Sequence, residues 1–129
     1  MRIFKTKWFV RYARQERIDD SCLREAIDRA ERGLVDADLG GGIIKQRVAR
    51  AGRGRAGGYR LLIAYRSADR AVFLYGFAKN ERDNITDDEL ETLREIGAAW
   101  LDSKDESLED AIKVGILMET NYGDEKREA

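Results

Sequence analysis

Apolar and polar positions change period along this chain, and each change marks a different element. Residues 3–12 mix aromatic and β-branched side chains with bases and read as a strand. From Asp19 the spacing becomes helical: Leu23, Ala26, Ile27, Ala30 and Leu34 fall on one stripe, with Asp19, Asp20 and Ser21 as candidate N-caps and Gly33 as a stop. Residues 36–42, which end in three glycines, read as a short connection.

Three strand-like runs follow, at residues 43–50, 59–66 and 71–79. The Gly- and Arg-rich link 51–58 and the short turn 67–70 join them closely enough for antiparallel pairing. Strand side chains alternate between faces, so Tyr59, Leu61, Ile63 and Tyr65 share one face while Arg60, Leu62, Ala64 and Arg66 share the other. The sheet is expected to be apolar toward its helices and partly basic on the opposite side.

The strongest local signal is Ile85-Thr86-Asp87-Asp88-Glu89-Leu90, where Thr86 and Glu89 form a capping box and Ile85 can staple to Leu90. A helix starts there, with Leu90, Leu93, Ile96, Gly97, Trp100 and Leu101 on its apolar face. A further helix is expected from Ser107, whose Leu108, Ile112 and Ile116 should dock on the domain, and residues 121–129 read as frayed or disordered. The order gives an α+β fold: an N-terminal strand and helix, a three-stranded antiparallel meander completing the sheet, and C-terminal helices packed on one face. With 129 residues there is material for one core. The expected division is a domain over 1–104 followed by an acidic helical extension and tail over 105–129.

Charge sharpens this picture. The net charge of -1 conceals eight bases against one acid over residues 45–70, then sixteen acids against six bases over residues 80–129. A dense basic block inside a folded region suits a phosphate-bearing partner, and the acidic end would repel one. No apolar stretch approaches a membrane span and the first residues lack an apolar signal segment, so a cytoplasmic protein that does not engage membranes is expected. The one cysteine, Cys22, sits beside Leu23 and reads as a packing residue; with no histidine, the usual imidazole and thiolate zinc sites cannot be built.

Three short pieces carry a resemblance: Lys45-Gln46-Arg47-Val48-Ala49-Arg50, then Gly58-Tyr59-Arg60-Leu61, then Tyr75-Gly76-Phe77-Ala78-Lys79. In order and spacing they resemble successive strands of the RelE/ParE superfamily of bacterial toxins, and the Gly-Phe-Ala-Lys step is closest to the HigB-like branch. The resemblance covers residues 3–101. It implies a RelE-like fold and the toxin of a type II toxin-antitoxin pair. Such toxins bind messenger RNA in the ribosomal A site, where the ribose 2′-hydroxyl attacks the neighbouring phosphate without cofactor or metal. The implied partners are a cognate antitoxin of helix-turn-helix kind, the message and the ribosome. Carried across, the family's second-strand bases fall on Lys45 and Arg47, its clamp arginine on Arg60, and its fourth-strand base on Lys79 or, one place later, on Asn80. The tyrosine of some members falls on Thr86, so the identity of the general base stays open.

Chemistry asks independently for a base to take the 2′-hydroxyl proton, positive charge at the phosphate and an acid for the departing 5′-oxygen. A lysine set among arginines has its charged form disfavoured, which suits Lys45 or Lys79 to proton transfer. Arg60 keeps its proton and would clamp phosphate oxygens through paired hydrogen bonds. Arg47, Arg50, Arg53 and Arg55 are then candidate contacts to the RNA backbone. The glycines of residues 52–58 do not make a phosphate loop, because no Gly-Lys-Ser/Thr step and no helix follow. Asp83, Asp87, Asp88 and Glu89 are accounted for by a first helical turn without a metal. Two other functions stay open at this stage: a ParE-like inhibitor of DNA gyrase with no hydrolytic step, and a noncatalytic RNA-binding module.

Overall fold

The computed structural model describes residues 1–50 and 57–120 in full and 54–56 by their backbone. Its elements in order are β1 (Arg2–Thr6), α1 (Lys7–Glu16), α2 (Asp20–Glu31), β2 (Ala37–Gly40), β3 (Ile43–Arg50), β4 (Gly54–Arg66), β5 (Arg70–Ala78), α3 (Asp87–Asp102), α4 (Asp105–Lys113) and β6 (Leu117–Glu119). They build a six-stranded sheet in the order β2-β3-β4-β5-β1-β6. β1 runs parallel to β5, with Ile3 opposite Ala71 and Phe4 opposite Val72; the other pairings are antiparallel. The α+β class and the antiparallel β3-β4-β5 meander are as expected.

The N-terminal expectation needs correction. The run 3–12 is not one strand, because Thr6 caps a helix by accepting a hydrogen bond from the Phe9 amide at 3.2 Å. Trp8, Phe9 and Val10 favour strands intrinsically, but helical spacing buries Phe9 and Ala13 together, and packing overrides propensity. Residues 36–42 are likewise more than a connection, since 37–40 pair with β3 as an edge strand. Asp19 does cap α2, and its side chain accepts the Cys22 amide at 3.1 Å. That helix ends at Glu31, which leaves Leu34 57% exposed instead of on the buried stripe.

Helices cover both faces of the sheet, which corrects the expectation of one apolar and one partly basic face. Ile3 and Phe4, adjacent in β1, are both fully buried and point to opposite sides. On one side Ile3, Ile44, Leu61, Ile63 and Phe73 pack under α1 and α2. On the other, Phe4, Ile43, Leu62, Ala64 and Val72 pack with Leu101 of α3, Leu108 and Ala111 of α4, and Leu117 of β6. The capping box forms as read, with Thr86 Oγ1 accepting the Glu89 amide at 3.1 Å and Glu89 Oε1 accepting the Thr86 amide at 2.7 Å. Ile85 and Leu90 both pack against the second cluster. The last helix begins at Asp105; Leu108 docks, whereas Ile116 falls beyond the helix end at Lys113 and is 49% exposed. Residues 121–129, expected to be frayed, lie outside the described residues. Among the described residues no helix is long and apolar enough to cross a membrane.

Candidate nucleic-acid interface

The footprint of α3 on the second face fixes where a site can lie. A Cβ on Gly97 would meet Ile43 Cδ1 at 2.8 Å and Ala64 Cβ at 3.0 Å, so α3 sits directly on that row of the sheet. One row further along the strands the face carries a different chemistry. Lys45 stands opposite Leu62, and Leu62 opposite Tyr75; in the next row Arg47 stands opposite Arg60, and Arg60 opposite Phe77. A bulge at Leu74 keeps Tyr75 and Phe77 on the same face as Arg60. The outer residues of a row lie two strand spacings apart, roughly 10 Å, enough to straddle a phosphate.

Arg60 is only 8% exposed, lower than the alternation alone suggested. Burial, then the like charge of Arg47, lowers its pKa from the ordinary guanidinium value, and Asp36 partly offsets this. Asp36 is the electrostatic anchor of the site. It accepts the Arg47 amide at 2.7 Å, the Arg29 guanidinium at 3.3 Å and the Arg47 guanidinium at 3.4 Å. Burial alone would raise its carboxyl, yet these donors outweigh it and hold the group below the usual carboxylate range. Gln46, fully buried on the opposite face, fixes the same segment: its Oε1 accepts the Asp36 amide at 2.8 Å and its Nε2 donates to Ala26 O at 2.9 Å. Arg47 is therefore aimed by a network that reaches back to α2.

At the other end of the rows Arg82 lies over the Phe77 ring, 5.6 Å from its centroid, and makes a two-pronged contact with Glu89 at 2.7 and 3.2 Å. That pair, with the Thr86 amide, holds the Glu89 carboxyl down at about 2. Arg82 also donates to the Tyr75 hydroxyl at 3.5 Å, while Trp8 stacks on the other side of the strand edge, 4.6 Å from Tyr75 and 5.1 Å from Tyr12.

The sequence candidates divide accordingly. Lys45, Arg47 and Arg60 share one face in neighbouring rows. Lys79 follows Phe77 at the strand end, and its ammonium meets Asp83 at 3.2 Å, an opposite charge where the sequence suggested like ones. Arg50 lies over the Tyr59 ring at 5.5 Å and reaches Asn80 at 3.4 Å. Arg53 and the Arg55 side chain lie outside the described residues. Two further members of the basic block serve the fold: Arg66 donates to Leu101 O at 2.9 Å, and Arg70 donates to Trp100 O and Ser103 O at 2.8 Å, satisfying the carbonyl end of α3. Cys22 packs against the first core cluster, and burial, then Asp19, pushes its thiol up.

Sequence reasoning missed Asp36, Tyr75 and Arg82. Tyr75 lies inside a stretch already singled out, but its place opposite Leu62 depends on the bulge. Arg82 was hidden in a segment whose acids outnumber its bases. The family model described as RelE toxin of RelE / RelB toxin-antitoxin system matches residues 1–120. No curated protein matches the chain.

Proposed function

The chain belongs to the RelE toxin family, and from that premise we propose that it is the toxin of a toxin-antitoxin pair, a metal-independent endoribonuclease that cleaves messenger RNA on the ribosome. The observation that carries this reading is the pair of rows Lys45–Leu62–Tyr75 and Arg47–Arg60–Phe77, which gathers three cations on one face of the sheet, with Tyr75 beside them against the first turns of α3. Arg60, held rigid by burial, clamps the scissile phosphate as charge grows on its oxygens, and Arg47 fixes a neighbouring phosphate. Proton transfer falls to Lys45 or Lys79, and Tyr75 adds a phenol on this face that replaces the one missing at Thr86. A RelB-type antitoxin would silence the activity by binding, and the protein would work in the cytoplasm.

One observation favours a second reading. Thr86 is committed to capping α3, so if no other group moves the proton, the same face would bind RNA without cutting it. Controlled expression with mapping of transcript ends separates the two. New 5′ ends within translated messages support cleavage; RNA binding without new ends supports the alternative.

A further inference from the structure

The far edge of the sheet has features that RNA cleavage does not use. β6 is the last strand in the sheet order, and among the described residues nothing pairs with its outer side. α1 flanks it on one face and the end of α4 on the other, leaving a groove of about 410 Å³ whose floor is Val10, Ile112, Leu117 and Met118. Along the same edge Met118 is 45% exposed, Ile116 49% and Val114 71%. An unpaired strand edge with apolar side chains on it is a template for another strand.

Charge selects what would fit. Lys7, Arg11 and Arg14 recur at one-face helical spacing on α1, all exposed, and none meets an acid among the described residues. Glu119, the acid that lines the groove, is already taken by Arg2 at 2.8 Å. A second copy of this chain paired through β6 would bring two such basic stripes side by side, and the apolar floor offers nothing to a phosphate backbone. We propose that the β6 edge is a docking slot for an extended acidic segment of a partner protein. The segment adds as a strand to β6, with apolar side chains in the groove and carboxylates against Lys7 and Arg11. That this partner is the antitoxin rests on the functional reading above; the slot itself does not. β4, which carries Arg60, lies three strands away, roughly 14 Å, so docking and cleavage are separable.

The test is fluorescence anisotropy of the full chain with a short labelled peptide of alternating valine and glutamate, against its valine-lysine counterpart. The glutamate peptide should bind and shift the β6 amide resonances. The double variant Lys7→Glu, Arg11→Glu should weaken it about tenfold or more, as should Met118→Asp. Both are surface changes, and thermal melting will confirm that they fold. RNA cleavage by each should match the parent. Several results would overturn the slot: no binding, equal affinity for the lysine peptide, indifference to all three substitutions, or displacement by poly(U). So would a concentration-dependent dimer abolished by Met118→Asp, or much tighter binding by a chain ended at Thr120, because a second copy or the chain's own tail would then be the occupant. Failure here with cleavage intact leaves the nuclease reading standing, and peptide binding without cleavage does the reverse.

Discussion

Arg47 and Arg60 stand directly opposite each other on adjacent strands, two like charges facing the same side of the sheet. Such a cross-strand pair is unfavourable by itself, and Asp36 compensates it in part, by hydrogen bonds to Arg47 and by its charge at Arg60. A phosphate between or above the two guanidinium groups would remove the repulsion. Arg47→Gln should therefore stabilise the free protein by up to about 0.5 kcal/mol while reducing the stabilisation that short RNA confers on the parent. Thermal melts with and without oligonucleotide check both signs; a variant that melts lower in buffer and gains as much from RNA as the parent would remove the argument.

Arg60→Ala should remove roughly 2 to 4 kcal/mol of transition-state stabilisation, a rate loss of about 30- to 1000-fold. Its fold should hold, because the lost contacts are offset by relief of a buried cation beside another cation. Arg60→Lys keeps the charge without the fork and should rescue RNA binding better than cleavage. The comparison is single-turnover cleavage of a ribosome-bound message by variants shown to fold.

Acid should weaken the protein through two identified carboxylates. Asp36 and Glu89 both have folded-state pKa values below their ordinary ones, so each contributes stability that is complete above the ordinary carboxylate range and lost as pH falls toward the folded value. For Glu89 that decline runs from about pH 4.5 to about 2. Urea unfolding across this range should show Asp36→Asn and Glu89→Gln each flattening the pH dependence relative to the parent. Parallel curves would mean that other groups carry the acid sensitivity.

Gly97→Ala tests how closely α3 lies on the sheet. Helix propensity alone would favour alanine by about 1 kcal/mol. Yet the new methyl would sit 3.0 Å from the Ala64 Cβ, which cannot rotate away, and 2.8 Å from Ile43 Cδ1 in a fully buried side chain. A net loss of about 1 to 3 kcal/mol is expected from overpacking, measured by denaturant midpoint. A gain would show that α3 can ride up without cost.

The sequence suggests that cutting the chain after Ser103 would lower stability and spare the chemistry. The structure raises the expected cost, because Leu108 and Leu117 are buried with Phe4 and Leu101, and β6 pairs with β1. Leu108→Ala by itself should lose about 2 to 5 kcal/mol, with cleavage by the still-folded fraction unchanged. The readout is denaturant unfolding alongside cleavage per folded molecule.

Local signals were enough for the elements that close on themselves. The Thr86–Glu89 box, the Asp19 cap and the alternation through residues 59–66 use contacts a few residues apart, and each formed as the sequence implied. The resemblance carried by Gly58-Tyr59-Arg60-Leu61 and Tyr75-Gly76-Phe77 likewise points to the family whose model matches residues 1–120. What tertiary structure alone decided is where charge goes and what covers each face. Arg66 and Arg70 read as members of a basic surface, but the carbonyl end of α3, some thirty residues on, claims both. Thr6 ends a strand that its neighbours favour because Phe9 and Ala13 find a core to share. β6 is too short to show a period, and it exists because β1 has an unpaired edge. Period and capping are properties of neighbouring residues and can be read along the chain. Which cation meets which anion depends on distances set by packing, and those exist only once the chain has folded.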